Sequence, residues 1–258
     1  MMRVIKIGGN ELDQPEFLPR LARLIAKLYE PVVIVHGGGR AIADLQARLG
    51  LKTRKVDGLR VTDAASLTVA QMVLSGQVNK EIVSALLAVG VNAVGLSGVD
   101  GGLLRCRPKK HPTTDLGFVG EVTQVQVSLL QMLWQKGITA VISPISLGEN
   151  GRPYNVNADE AASAIAAALP AHLLDFISNV PGILHHNQLI PQLTPQETEN
   201  LIATGIIRDG MIPKARAALS ALLHGVSNVR IVNLDGLVGT GGTLFINNLE
   251  EPCIQEEI

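Results

Sequence analysis

Lys6 interrupts an apolar run, Val4-Ile5-Lys6-Ile7, immediately before the pair Gly8-Gly9. A lysine is seldom buried without a partner. At the end of a strand it reads either as a side chain that snorkels to water or as a cation held over an anion. Two further glycine turns follow apolar runs, His36-Gly37-Gly38-Gly39 and Ser97-Gly98-Val99-Asp100-Gly101-Gly102. In open parallel sheets ligands sit beyond the carboxyl ends of the strands, where glycines let backbone N–H groups approach an anion and helix N-termini add partial positive charge. Three such turns, the first with a lysine beside it, suit a phosphate. Residues 37–39 do not fit G-x-G-x-x-G, and no G-x-x-x-x-G-K-[ST] occurs, which disfavours a dinucleotide-binding dehydrogenase or a P-loop NTPase.

Other polar residues stand where chemistry is possible. Arg60 lies between two glycine-turn segments, where its planar fork can grip a carboxylate with two hydrogen bonds; a solvated surface arginine is the plain alternative. Asn155-Val156-Asn157-Ala158-Asp159 enters a predicted helix, with Asn157 as a candidate N-cap and Asp159 as a first-turn acid favoured by the helix dipole. Lys214 follows Pro213, which suits an early helical position, and by itself reads as an ordinary exposed helix lysine. His185-His186 has no carboxylate or cysteine at ligand spacing and reads as exposed loop histidine. No residue is assigned to a metal.

These groups need a scaffold, and the apolar pattern supplies one. Short runs rich in β-branched residues predict strands over Arg3–Ile7, 32–35, 93–96, 139–142, Leu173–Ile177 and 228–233. Amphipathic or alanine-rich segments between them predict helices over 16–29, 41–49, 64–88, 127–136, 160–169, 195–204 and 211–224. The alternation argues for an α/β fold, a three-layer α/β/α sandwich with a central, mainly parallel sheet. Pro108, Pro112, Gly117 and Gly120 break it over 103–122, where one or two β-hairpins are expected. With no flexible linker, the chain is expected to form one continuous domain with lobes 1–170 and 171–258.

Across 258 residues, 47% hydrophobic, there is material for a substantial core, and 22 Lys+Arg against 23 Asp+Glu leave no overall field for nucleic acid or an acidic membrane. Cys106 and Cys253 match no metal or redox spacing and read as free thiols of a reducing compartment. Without a leader-like start or an 18-residue apolar stretch, a soluble, cytoplasmic protein is expected.

In order and spacing, several segments resemble the amino acid kinase family, and within it the acetylglutamate kinases. They are Lys6-Ile7-Gly8-Gly9, His36-Gly37-Gly38-Gly39, Asp57-Gly58-Leu59-Arg60-Val61-Thr62-Asp63, Asn79-Lys80, Leu96-Ser97-Gly98, Leu116-Gly117-Phe118-Val119-Gly120, residues 155–159 and Asp209-Gly210-Met211 with Lys214. The resemblance runs to Gly242-Thr243. It implies the family's fold and ATP-dependent phosphorylation of the γ-carboxylate of N-acetyl-L-glutamate, a step of arginine biosynthesis. It implies that Lys6 and Lys214 stabilise charge, with Asp159 orienting both. Gly38, Gly39, Arg60 and Asn155 would bind the acyl substrate, Arg60 at its α-carboxylate. Gly8 and Gly9 would contact the nucleotide, with the loop Asn179, Val180, Pro181, Gly182, Ile183 and Leu184 and a second contact at Ile206, Ile207 and Arg208. Asn179 stands where family members often carry aspartate.

The same resemblance implies Mg2+ bridging the nucleotide phosphates, and a homodimer. A carboxylate nucleophile is already ionised at pH 7, so His36 is read as a conformational partner of its glycines and not as a base. The chain starts almost directly at its first strand, and insensitivity to arginine is expected. A kinase of a carrier-linked aminoadipyl or glutamyl group resembles the chain at Ser178-Asn179-Val180-Pro181-Gly182, and a silent nucleotide-binding module is a third reading. Lys6, Asp159 and Lys214 together argue against the third.

Overall fold

Alternation along the first strand sets the plan of the molecule. In β1 (Arg3–Ile7) Val4 packs on one face of the sheet while Ile5 and Ile7 pack on the other, all three fully buried. This two-sided burial is the mark of a central parallel strand. The computed structural model describes residues 2–56 and 58–247; Asp57, Cys253 and the acidic tail from Glu250 lie outside the described residues.

The remaining strands are β2 (Val32–His36), β3 (Arg54–Val56), β4 (Leu59–Val61), β5 (Ala93–Gly98), β6 (Leu104–Pro108), β7 (Val119–Val125), β8 (Thr139–Gly148), β9 (Pro153–Val156) and β10 (Leu173–Ile177). Five short ones follow: β11 (Leu184–His185), β12 (Gln188–Leu189), β13 (Gln192–Leu193), β14 (Val229–Val232) and β15 (Thr243–Phe245). The main sheet runs β13-β15-β14-β10-β1-β2-β8-β6-β7-β9, with β5 paired to β8. β1 lies parallel between β10 and β2, so the turns that leave these three strands open at one edge of the sheet. The expected hairpin over 103–122 is the antiparallel pair β6–β7. β3 and β4 form a separate small hairpin.

The helices are α1 (Gly9–Leu12), α2 (Phe17–Ile25), α3 (Gly39–Arg48), α4 (Ala64–Gln71), α5 (Asn79–Leu87), α6 (Val127–Gln135), α7 (Ala158–Ala168), α8 (Pro195–Ala203) and α9 (Met211–Leu223). One core gathers α6, α7 and α9 against the Val4 face; the other gathers α2 to α5 against the Ile5 face. The three-layer α/β/α expectation therefore holds. The buried face of α7 is mostly alanine, Ala161, Ala162 and Ala166 with Ile165, which lets the helix lie close on the sheet. Its start is fixed by Asn157, whose side chain accepts from Asp159 N at 2.7 Å and Glu160 N at 3.3 Å. Such a cap contributes about 1 kcal/mol.

The predicted helix 64–88 is not uniform. Between α4 and α5 the segment Met72–Val78 is a π-helix, a feature often found at functional sites. It seats Leu74 and Val78 against Gly38, where a Cβ would lie 2.8 Å from Leu74 Cδ2. A buried charge cluster ties β1, β10 and β14 together. Asp175 accepts from Arg3 Nε at 2.5 Å and Arg230 Nε at 2.7 Å, and both arginines also hold the Leu237 carbonyl. Removing one member of such a buried group costs about 3–5 kcal/mol. Cys106 is buried, which pushes its thiol up to about 11 and leaves it inert. Among the described residues no helix is long and apolar enough to cross a membrane.

Candidate active site

Lys6 shares the sheet face of Val4, which α7 covers, and that alternation brings it to Asp159 in the first turn of α7. Lys6 Nζ lies 2.7 Å from Asp159 Oδ1, with the lysine side chain 13% exposed. This oxygen is buried, and the Lys6 ammonium beside it compensates the cost of burying a carboxylate.

Lys214 corrects one expectation. It does not share Asp159 with Lys6; its Nζ donates to Ser178 Oγ at 2.8 Å and meets Glu11 Oε1 at 3.3 Å. The reason is placement: α9 packs over β14, and its first turn faces the loop after β10 and, across it, α1. Nothing in the sequence marks Glu11, which reads as a surface acid between Asn10 and Leu12 yet is only 6% exposed.

The two leading glycine turns touch. A Cβ on Gly9 would lie 2.6 Å from Gly39 N, so the contact requires glycine at position 9. The second turn is shaped from beneath by His36, wholly buried, with Nδ1 3.0 Å from the Gly37 carbonyl and Nε2 3.2 Å from Asn79 Nδ2. Asn79 Nδ2 also donates to the Val141 carbonyl at 2.9 Å, while Asn79 Oδ1 accepts from Lys80 Nζ. With the amide nitrogen fixed as donor, Nε2 is the acceptor and Nδ1–H donates to Gly37. Burial, reinforced by the Lys80 charge and opposed by the Gly37 bond, brings the His36 pKa down from 6.5 to about 4. The ring is neutral at pH 7, as a conformational partner should be.

Beside this turn a cavity of about 190 Å3 is lined by Gly38, Gly39, Arg60, Leu74, Val119 and Asn155 among others. The structure thus gathers all four residues expected to bind the acyl substrate. Arg60 is held by Gln46 Oε1 at 2.7 Å and the Gly39 carbonyl at 2.9 Å, and partial burial lowers its pKa from the ordinary guanidinium value. Asn155 reaches Thr62 Oγ1 at 3.4 Å, and Thr62 Oγ1 donates to the Arg60 carbonyl at 2.9 Å, so β4 and β9 are coupled.

On the β10 side a groove of about 560 Å3 is lined by Val180, Gly182, Ile183, Leu184, Ile206, Ile207 and Arg208, together with His185, His186 and Met211. Ile183 and Ile207 are only 2% and 1% exposed, so their side chains belong to the core. Two expected residues depart: Asn179 lines a separate cavity of about 140 Å3 with Glu11 and Ser178, and Pro181 lines neither. Gly8 and Gly9 also lie outside the groove, at the turn against Gly39. The exposed rings of His185 and His186 stack at 4.2 Å on its rim.

The geometry is a Lys6–Asp159 pair at the end of β1, a cavity of about 190 Å3 with Arg60 in its lining beside the turn after β2, and a groove of about 560 Å3 lined from the loop after β10, with glycine turns on two neighbouring strands. The model of the amino acid kinase family matches residues 1–233. The chain belongs to the amino acid kinase family. The acetylglutamate kinase of Roseiflexus sp. (strain RS-1) is 52% identical over 242 residues, covering 94% of this chain and 92% of that relative. Among solved structures, smu.665 from Streptococcus mutans UA159 aligns with a TM-score of 0.81 at 30% identity, covering 96% of this chain and 99% of that one. The N-acetylglutamate synthase from Neisseria gonorrhoeae, solved with coenzyme A and N-acetyl-glutamate, gives a TM-score of 0.82 at 26% identity, over 96% of this chain and 60% of that one. Membership in the amino acid kinase family accounts for the parallel sheet, the glycine turns and the two-sided site together.

Proposed function

We propose that this protein is an acetylglutamate kinase: it transfers the γ-phosphoryl group of ATP to the side-chain carboxylate of N-acetyl-L-glutamate, giving N-acetyl-L-glutamyl 5-phosphate and ADP. The observation that carries this reading is Lys6 at the end of β1, paired to Asp159, with the Arg60–Asn155 cavity at the turn after β2 and the Val180–Arg208 groove at the loop after β10, the two strands that pair with β1. The 52% identity to a curated acetylglutamate kinase supports the same substrate.

In this reading Arg60 grips the α-carboxylate through donors that its bonds to Gln46 and Gly39 leave free, and Asn155 holds the amide portion. The γ-carboxylate then lies at the Gly38–Gly39 turn. A carboxylate oxygen attacks the γ-phosphorus, the bond to the β-phosphate oxygen breaks, and no proton moves. Phosphoryl transfer asks mainly for alignment and charge neutralisation. Lys6 and Lys214 supply the charge and the glycine N–H groups the fit. Among the described residues no group of three or more His, Cys, Asp or Glu side chains stands ready to hold a metal. Mg2+ belongs to the same proposal and would supply neutralisation of the nucleotide charge.

The lobes 1–170 and 171–258 would bind acyl substrate and nucleotide respectively, in keeping with β2 and β10 lying on opposite sides of β1. A cytoplasmic homodimer belongs to the same proposal. It is supported by β5, which among the described residues pairs with β8 alone, and by the exposed Met72 and Leu87 on the helices beside it. Hydroxylamine tests the reaction: an acyl phosphate formed from N-acetyl-L-glutamate and ATP is trapped as a hydroxamate. ADP formed without hydroxamate would contradict transfer to the carboxylate.

A further inference from the structure

The two lysines of the site have separate carboxylates. Lys6 is paired with Asp159 on α7, whereas Lys214 meets Glu11 on α1. Glu11 is a buried acid, its side chain 7% exposed against 29% for Lys214, and an ionised carboxylate so placed requires a partner. Its other oxygen, Oε2, is pressed against the first glycine turn, since a Cβ on Gly8 would overlap it. Glu11 thus lies between the first glycine turn and Lys214. Ser178 at the end of β10 takes a second ammonium proton at 2.8 Å. An ammonium carries three protons. With two directed at Glu11 and Ser178, the third direction of Nζ is set by groups from both lobes.

We infer that Glu11 is the positioning residue for Lys214, doing for that lysine what Asp159 does for Lys6. It touches no reacting atom; it acts by fixing the ammonium where the nucleotide phosphates must pass. This rests on the kinase reading for its catalytic consequence, but the pairing itself does not.

The test uses Glu11→Gln and Glu11→Ala, each alone and combined with Lys214→Met, with two readouts. The first is brief labelling with an amine-reactive ester, read residue by residue by mass spectrometry: Lys214 labelling rises in both Glu11 variants while that of the other lysines does not. The second is steady-state turnover: kcat falls on the order of tenfold to a hundredfold in Glu11→Ala and less in Glu11→Gln, which keeps an acceptor oxygen, while KM for N-acetyl-L-glutamate is unchanged. In the Lys214→Met background the Glu11 change adds no further loss. Unchanged Lys214 labelling in a folded Glu11→Gln protein overturns the pairing, and an equal kcat loss with Lys214 already gone overturns the positioning role. A wild-type protein that does not turn over N-acetyl-L-glutamate would sink the kinase reading, and the labelling would still decide the pairing.

Discussion

Acidification should weaken this fold through one buried ring. His36 titrates near 6.5 when the chain is unfolded, but burial holds it neutral in the folded protein down to about 4. Across that window the unfolded state binds more protons, so stability falls as pH falls. The contribution is fully present above 6.5 and is lost progressively between 6.5 and about 4. That gap, at about 1.36 kcal/mol per pH unit, amounts to about 3 kcal/mol. Other groups titrate too, so the assay is a comparison: urea unfolding of wild type and His36→Asn at one protein concentration, from about pH 7 to about pH 4. Wild type should lose about 2–3 kcal/mol more than the variant over this range. His36→Gln, a second acceptor-bearing replacement, covers the case in which the asparagine variant folds poorly. Parallel losses in wild type and variant would refute the account of His36 as a buried neutral ring pinned between Asn79 and Gly37.

Lys6→Met removes the cation at the end of β1 and leaves Asp159 without its partner; kcat should fall by about a hundredfold or more, with the circular-dichroism spectrum intact. Near-normal turnover would contradict the assignment. Arg60→Lys keeps the charge but loses the fork held by Gln46 and Gly39, so KM for N-acetyl-L-glutamate should rise by on the order of tenfold to a hundredfold with kcat little changed, as initial-rate kinetics would read. Gly9→Ala drives a Cβ into Gly39 N and parts the two glycine turns; turnover should be lost while melting shows a folded protein, and an active alanine variant would deny that the contact matters.

Much of the frame was legible because β-branched runs buried on both faces leave little ambiguity. β1 and β10 have the bounds that their apolar residues suggest, and the prolines and glycines of 103–122 mark the β6–β7 hairpin. The π-helix Met72–Val78 was not legible, because its residues would serve an α-helix equally well; in the fold it carries Leu74 and Val78 against Gly38. Short strands such as β13 and β15 escaped because two or three residues carry no period. At the site, the glycine turns and Arg60 could be read from residue type and spacing, while Asn155 and the grouping of these residues around one substrate came only from the family resemblance; the cavity of about 190 Å3 has Gly38, Gly39, Arg60 and Asn155 in its lining. The partner of Lys214 was not legible. Which carboxylate a helix lysine finds depends on how α9 docks across the end of β1, and Glu11 lies in a four-residue helix with nothing to distinguish it from a surface acid.

The central claim is transfer to the side-chain carboxylate of a free acylated amino acid. It is tested most directly by ADP release from purified protein with ATP and Mg2+, comparing N-acetyl-L-glutamate with glutamate, aspartate and N-acetyl-aminoadipate. Turnover on N-acetyl-L-glutamate well above the other three is the predicted result. Silence on all four free substrates, or equal turnover on glutamate, would contradict it.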